Sequence, residues 1–363
     1  MSGPLEGIRV LELAGMGPGP HAGMQLADMG ADVVRVVRPT AAVHEREGNA
    51  YVQRGRTIVV ADLKDERARG GLTDLVRHAD VLIEGFRPGV AERLGLGPQE
   101  CRAMNPRLVY ARVTGWGQDG PLSGRGGHDI NYIALTGALH AIGTADEPVP
   151  PLSLVGNYGG GAMFVVTGVL AALLQRSRTG QGDVVDISTV DGTCTLLQPI
   201  LELRGQGLWS DRRQDNLLDG GRPYYRTYAC SDGRHMAVGA IEPQFYANLV
   251  AGLGLDGVDL PAQDDPDGRP VVEKAFADAF GRHPRGHWEQ VFRDLDACVT
   301  PVLSFDEAVT HPHIEARGTL VDGPEGLVAA GAPRFSSAAG TIAPTPPVSR
   351  TATLAEAVET WRS

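Results

Sequence analysis

The chain has 363 residues, 42% hydrophobic, and a formal net charge of −11 with no lysine/arginine block, so it has the length for a large core in two domains or one elaborated domain, and nucleic-acid binding is disfavoured. Its four cysteines, Cys101, Cys194, Cys230 and Cys298, are scattered without paired spacing, which excludes a zinc or redox motif and reads as buried free thiols in a reducing compartment. No basic segment followed by an apolar one opens the chain and no run approaches the length of a membrane span, so a soluble cytoplasmic protein without membrane or metal partners is expected.

Ile8 to Leu13 reads as the first strand. Pro20 suits the first turn of a helix that runs to about Met29 and is ended by Gly30. Residues 32–37, 57–61, 81–84 and 108–113 read as further strands, with helical patterns between several of them. Strand–helix–strand order with β-branched strands predicts an α/β fold, a Rossmann-like parallel sheet. Gly161 to Arg176 is apolar on every side until its last residues, is too short to span a bilayer comfortably, and predicts a fully buried helix. Gly180 sits just past its end, and residues 184–187 return as a strand.

After about residue 203 the texture changes. Residues 204–223 are polar and glycine-rich and read as a linker. Tyr224 to Cys230 and His235 to Ile241, joined by a turn containing Ser-Asp-Gly, read as a hairpin. Helical patterns follow Pro243 and His287. The predicted organisation is a large domain over 1–203 completed by 330–363, the linker at 204–223, and a smaller α+β domain over 224–320. Residues 321–363 form a return linker and C-terminal helix, with Pro344 to Pro347 a stiff connector and the helix starting near Leu354.

Several motifs bear on chemistry. Gly15 to Pro20 lies where a dinucleotide fingerprint would sit, but Pro18 and Pro20 lack the N–H groups a phosphate cradle needs and the spacing is wrong, so a nicotinamide cofactor is rejected and a tight turn expected. His128 lies in a glycine-rich loop beside Asp129. It is either a structural histidine or an acid/base, and Asp129 is either its neighbour in a site or the N-cap of the next helix. Asn157, just before the apolar segment, is either an N-cap or a neutral amide at a helix N-terminus where anionic groups are favoured. Arg35, Arg38, Arg54, Arg56, Lys64, Arg87 and Arg93 lie near predicted strand ends. Each is a solvated charge or, together, they bind phosphates along the carboxyl edge of the sheet. His311 and His313 lack a third ligand and read as a polar loop, so no metal is expected.

Taken together, the segments Gly3 to Glu12, Ala31 to Pro39, Ala61 to Lys64, Glu84 to Gly89, Arg93 to Leu96, Thr114 to Pro121, Gly127 to Tyr132 and Cys298 to Pro301 resemble the family III CoA-transferase (CaiB/BaiF) group. The similarity covers nearly the whole chain, and the histidine of Gly127 to Tyr132 points to the racemase branch. The resemblance implies a large Rossmann-like domain and a small one, two chains interlocked like links as a homodimer, and an acyl-CoA thioester as substrate with no separate cofactor. By motif, Arg38, Ala61, Asp62, Leu63, Lys64, Gly85, Phe86, Arg87 and Arg93 would contact the nucleotide and pantetheine. Gly127, His128, Asp129, Ile130, Asn131 and Tyr132 would line the thioester. His128 would be one acid/base, and Glu242 matches a glutamate that approaches from the partner chain. At Asn157 the racemases have an aspartate.

Racemising a 2-methylacyl thioester needs an acid/base on each face of the α-carbon. Here His128 can serve one face, whereas the Asn157 amide cannot serve the other, so impaired inversion is expected. The alternatives are a family III CoA-transferase, another α-proton isomerase or epimerase of acyl-CoA using His128 with Glu242 or Asp129, and a non-catalytic acyl-CoA-binding protein.

Overall fold

Seven strands lie parallel in one sheet of order β12-β3-β2-β1-β4-β5-β6. They are β1 Arg9–Leu13, β2 Asp32–Val37, β3 Arg56–Val60, β4 Val81–Glu84, β5 Val109–Thr114, β6 Val184–Ser188 and β12 Arg350–Ala352. The computed structural model describes residues 3–13, 15–39, 51–323, 326–336 and 349–363. The predicted Pro344 to Pro347 connector lies outside the described residues.

The inner strands β1, β2 and β4 are mainly apolar because both faces of the sheet are covered, and the charges within them, such as Glu12 and Arg35, are buried and paired. Val10, Val33, Val81, Val109 and Ala111 pack on one face against Ala22 and Leu26 of helix α1 (Pro18–Asp28) and against Val165, Val166 and Val169. Leu11, Val34, Val59, Leu82 and Tyr110 pack on the other face against Leu72 and Leu75 of α2 (Glu66–His78) and Val358 and Trp361 of the last helix, Leu354–Arg362. Trp361 locks that helix down by donating its indole N–H to Asp32 Oδ2 at 2.7 Å.

The apolar segment departs from expectation. Residues Leu154–Ala162 form a π-helix that continues directly into the α-helix Met163–Thr179. The combined helix is long and apolar enough by length and composition to cross a membrane, which the shorter run read from the sequence did not suggest. The residues just before the apolar run, Leu154 to Gly160, supply the extra turns. Nor is the helix buried all round. Val165, Val166, Val169 and Ala172 face the sheet, while Leu174 is 63% exposed.

The chain divides into two units, one of residues 1–136, 151–197 and 309–363, the other of 137–150 and 198–308. The second unit is a three-stranded antiparallel sheet, β7 (Tyr225–Ala229), β8 (His235–Gly239) and β9 (Val299–Pro301). One face of that sheet packs Tyr228 and Met236 on Phe276, Phe280 and Trp288. The hairpin was legible; β9, three residues long, was not. The 204–223 stretch is an ordered loop rather than a free linker, since buried Asn216 donates to Ser210 O, Arg212 O and Asp219 Oδ2. Residues 137–150 group with it because Arg213 donates to Thr144 O at 2.6 Å and His140 O at 3.0 Å. The described part of the 321–363 segment is more than a linker: Gly326–Ala329 (β11) pairs with Leu320–Gly323 (β10) as a hairpin in the first unit. His311 caps a short helix, accepting from His313 N–H at 3.3 Å, rather than sitting in a plain loop. Of the cysteines, Cys101 and Cys230 are buried as expected, but Cys298 is exposed and Cys194 half-buried.

Arg285, itself buried, ties the second unit together through Glu307, Glu289 and the Val302 carbonyl. The Arg285 guanidinium, with help from the Ser304 N–H, holds the Glu307 carboxyl down at about 2. A carboxyl held below its unfolded value stabilises the fold fully above the ordinary carboxylate range, and that stabilisation is lost as pH falls through that range toward 2. Glu307→Gln is therefore expected to lower the urea midpoint at pH 7 and to converge on the native value as pH approaches 2. A gap that stays constant with pH would contradict this.

Candidate active site

Because all seven strands of the large sheet are parallel, their carboxyl ends share one edge, the place where open α/β sheets take ligands. Arg38 follows β2 and is exposed. After β3, Ala61 and Leu63 are buried while Asp62 and Lys64 point outward, with Lys64 N–H donating to Asp62 Oδ1 at 3.0 Å. After β4 come Gly85, Phe86 and Arg87, then Arg93 in the helical turn Val90–Arg93. The sheet thus brings all the expected CoA contacts to one edge.

Three other arginines do not join them. Arg35 donates to Glu12 Oε1 and Arg56 to Glu12 Oε2, all three buried, while Arg54 holds the Asp28 carboxylate in a two-pronged bond of 2.8 and 2.6 Å. These guanidiniums are committed inside the fold. Sequence spacing alone cannot separate a solvated cation from one whose carboxylate partner lies far along the chain. Gly23 makes room for the cluster, since a β-carbon there would lie 3.1 Å from Arg56 Nη1.

The segment after β5 carries the histidine. His128 is extended (φ −128°, ψ 174°) and is the N-cap of the helix α3, Asp129–Leu135. Asp129 is therefore inside the helix, not its cap. His128 N–H donates to Asn131 Oδ1 at 3.0 Å, and Asn131 N–H returns a bond to His128 O at 2.9 Å. The His128 and Ile130 side chains stay exposed. Tyr132 turns back toward the loop, its hydroxyl donating to Gly127 O and its ring meeting Trp116 edge-on at 4.8 Å. A β-carbon on Gly127 would lie 2.7 Å from the Tyr132 ring and 3.0 Å from Trp116, so only glycine admits this packing. Burial pushes the Tyr132 hydroxyl up, against the pull of the Arg87 charge.

Asn157 is not an N-cap. Ser153 caps the π-helix, in a left-handed conformation, and Asn157 lies in the first turn, where the N–H groups have no helical acceptor. The first π-type bond runs from Tyr158 N–H to Ser153 O at 3.2 Å. The Asn157 N–H goes instead to Asp129 Oδ1, 2.5 Å away. Asp129 is only 6% exposed, so this carboxylate is a buried strut between the helix that begins at His128 and the helix that carries Asn157. Gly156 permits the approach, because a β-carbon there would overlap Asp129 Oδ1 and Ile133. On its other side Asn157 lies against Gly17, whose β-carbon would be 3.6 Å from the Asn157 amide nitrogen. Gly17, with φ of 75°, caps α1. Three helix starts thus converge at the carboxyl edge, at Gly17, His128 and Asn157.

The remaining expected residue, Glu242, lies in the second unit. It is exposed, extended, and precedes the helix Pro243–Gly252 without capping it through its side chain. Sequence reasoning did not single out Trp116 or Tyr158, and read Gly17 only as part of a tight turn. Trp116 had a signal, since it lies in the Thr114 to Pro121 motif, and its buried indole N–H has no acceptor among the described residues. Tyr158 packs on His21 at 4.7 Å, and that contact has no local sequence signature. Among the described residues no three His, Cys, Asp or Glu side chains gather as metal ligands would.

A family model described as CoA-transferase family III matches residues 5–350. The chain is 46% identical over 324 residues to an α-methylacyl-CoA racemase of Mus musculus, covering 89% of this chain and 84% of that protein. It is 46% identical over 322 residues to the α-methylacyl-CoA racemase of Homo sapiens, covering 88% and 83%. In fold it is similar to a CaiB/BaiF family protein from Brucella suis, at a TM-score of 0.82 and 24% identity, over 100% of this chain and 99% of that one.

Replacing Asp129 separates strut from neighbour. Asp129→Ala leaves the Asn157 N–H without its acceptor and is expected to cost about 1–3 kcal/mol in denaturant unfolding. Asp129→Asn keeps an acceptor oxygen and is expected to cost clearly less. Equal losses in the two variants would show that the bond does not carry the junction.

Proposed function

The chain belongs to CoA-transferase family III, and from that premise we propose that it is an α-methylacyl-CoA racemase-type isomerase, moving the α-proton of a 2-methylacyl-CoA thioester, with an amide at one of its two proton-transfer positions. The observation that carries this reading is the Asp129 bridge, which joins the helix capped by His128 to the first turn that holds Asn157.

The thioester makes the α-proton acidic only if negative charge on its oxygen is stabilised as the proton leaves. The Asp129 and Ile130 N–H groups that open α3 beside His128 are suited to that task, since first-turn amides precede the helical acceptors, whereas the Asn131 N–H is already bonded to His128 O. A neutral His128 imidazole takes the α-proton, becomes imidazolium, and returns a proton to the same face of the enolate. Inversion requires delivery to the opposite face. Asn157 can donate a hydrogen bond there, but it has neither the basicity to take a proton nor the acidity to give one near neutral pH. Arg38, Lys64, Arg87 and Arg93 would pair with the phosphates, Ala61 to Leu63 and Gly85 to Phe86 would follow the pantetheine, and Gly127 and Ile130 to Tyr132 would flank the thioester. The chemistry asks for no cofactor beyond the thioester.

A homodimer that brings Glu242 of one chain to the site of the other fits the same reading. The exposed apolar side chains Leu152, Leu154, Leu174 and Leu196 of the first unit support an oligomer. Transfer of CoA between acids is the weaker alternative, because it needs an acyl-accepting carboxylate. Asn157 is not one, and Asp129 is buried and already bonded.

Two substitutions test the assignment. Asn157→Asp is expected to raise inversion of 2-methylacyl-CoA by about 10²- to 10⁴-fold, the usual worth of a general acid/base. His128→Gln is expected to remove α-proton exchange altogether. An Asn157→Asp protein that inverts no faster than the native chain, or a His128→Gln protein that still exchanges, would overturn it.

A further inference from the structure

One buried charge network lies outside the proton-transfer site and is not used by it. Glu84, the last residue of β4, is 0% exposed. Its Oε2 accepts the Phe86 backbone N–H at 2.7 Å, and its Oε1 accepts Arg112 Nε at 2.9 Å. Arg112 stands opposite it on β5 and extends Nη1 to Glu92 Oε1, 2.9 Å away, in the turn Val90–Arg93. The chain of bonds therefore starts at the Gly85–Arg87 loop and ends on the turn that carries Arg93.

A buried ion pair is a poor device for stability alone, since desolvation offsets most of its attraction. Burial pushes the Glu84 carboxyl above its ordinary range even though the Phe86 and Arg112 bonds pull it down. What the pair does accomplish is geometric. Fixing Phe86 fixes Arg87, whose Nη2 would lie 3.1 Å from a β-carbon on Gly126, next to the histidine loop. Fixing Glu92 fixes the turn in which Arg93 packs over Gly89, a residue in the left-handed region at φ 78°.

We propose that Glu84 is a positioning residue for the CoA moiety: acting through Phe86 and the Arg112–Glu92 arm, it sets the separation and aim of Arg87 and Arg93. This rests on the reading that those two arginines meet the CoA phosphates. It makes Glu84 a determinant of thioester binding and not of proton transfer.

The test uses Glu84→Gln and Glu92→Gln, with free CoA as the calorimetric probe and 2-methylacyl-CoA as substrate. Glu84→Gln is expected to raise the Kd for CoA, and the KM for the thioester, about tenfold, the worth of one charge-assisted bond. Glu92→Gln, at the outer and more exposed end, is expected to raise both about threefold, a fraction of that bond. The exchange rate at saturation is expected to stay within about twofold in each, which a general loss of structure would not allow. If Glu84→Gln does not fold, Glu92→Gln carries the test. Native-like Kd and KM in the folded variants overturn the inference while leaving the functional reading intact. A native chain that does not bind CoA overturns both.

Discussion

The hydrogen bond from the Asn157 N–H to the Asp129 carboxylate is the constraint on which the site depends. A π-helix leaves its first amides without acceptors, and a buried donor left that way is expensive. Asp129 takes one of them from 28 residues away in sequence. Because Asp129 directly follows the N-cap His128, the same bond fixes the start of the histidine helix relative to Asn157. The glycines around it follow from that requirement. Gly156 lets the carboxylate approach, and Gly160 lets the π-helix press on the helix Thr189–Leu196, where a β-carbon would lie 2.7 Å from the Thr193 nitrogen. A side chain at Gly156 would push the two helix starts apart, and one at Gly160 would push the π-helix off Thr189–Leu196.

This division of labour gives the two carboxylate-related positions different roles. Asp129 is ionisable but internal and occupied. Asn157 faces the Gly17 turn but is not ionisable. In the proposed reading the proton chemistry is assigned to the exposed His128 imidazole, whose backbone is held by Asn131. Along the sheet edge a different network, the buried Glu84 carboxylate and the Arg112 guanidinium, reaches the loops that bear Arg87 and Arg93. The two polar networks are separate, one between the helices of Asp129 and Asn157 and the other on the paired strands β4 and β5.

Much of this was legible in the sequence, for physical reasons. A parallel sheet covered on both faces produces mainly apolar, branched strands, so β1, β2 and β4 stand out. The hairpin of the second unit is announced by its turn. The π-helix was hidden, because the apolar run begins only at Gly161 and the helix was expected to start there; Gly156 and Gly160 belong to it at places where Asp129 and Thr193 come close enough to exclude a β-carbon. The burial of Arg35, Arg54 and Arg56 was hidden for a related reason: their partners, Glu12 and Asp28, are set by strand register and not by local spacing. His128 and Asn157 were singled out by motif. The role of Asp129 needed the fold, since a carboxylate beside a histidine looks catalytic until its hydrogen-bond partner is seen.

The most direct measurement follows each enantiomer of a 2-methylacyl-CoA separately in heavy water with the native protein, reading deuterium at the α-carbon and configuration together. With His128 as the one group exchanging protons at the α-carbon, one enantiomer is expected to take up deuterium with retention while the other stays inert, and inversion lags exchange by orders of magnitude. Uptake by both enantiomers at similar rates, with inversion keeping pace, would contradict it.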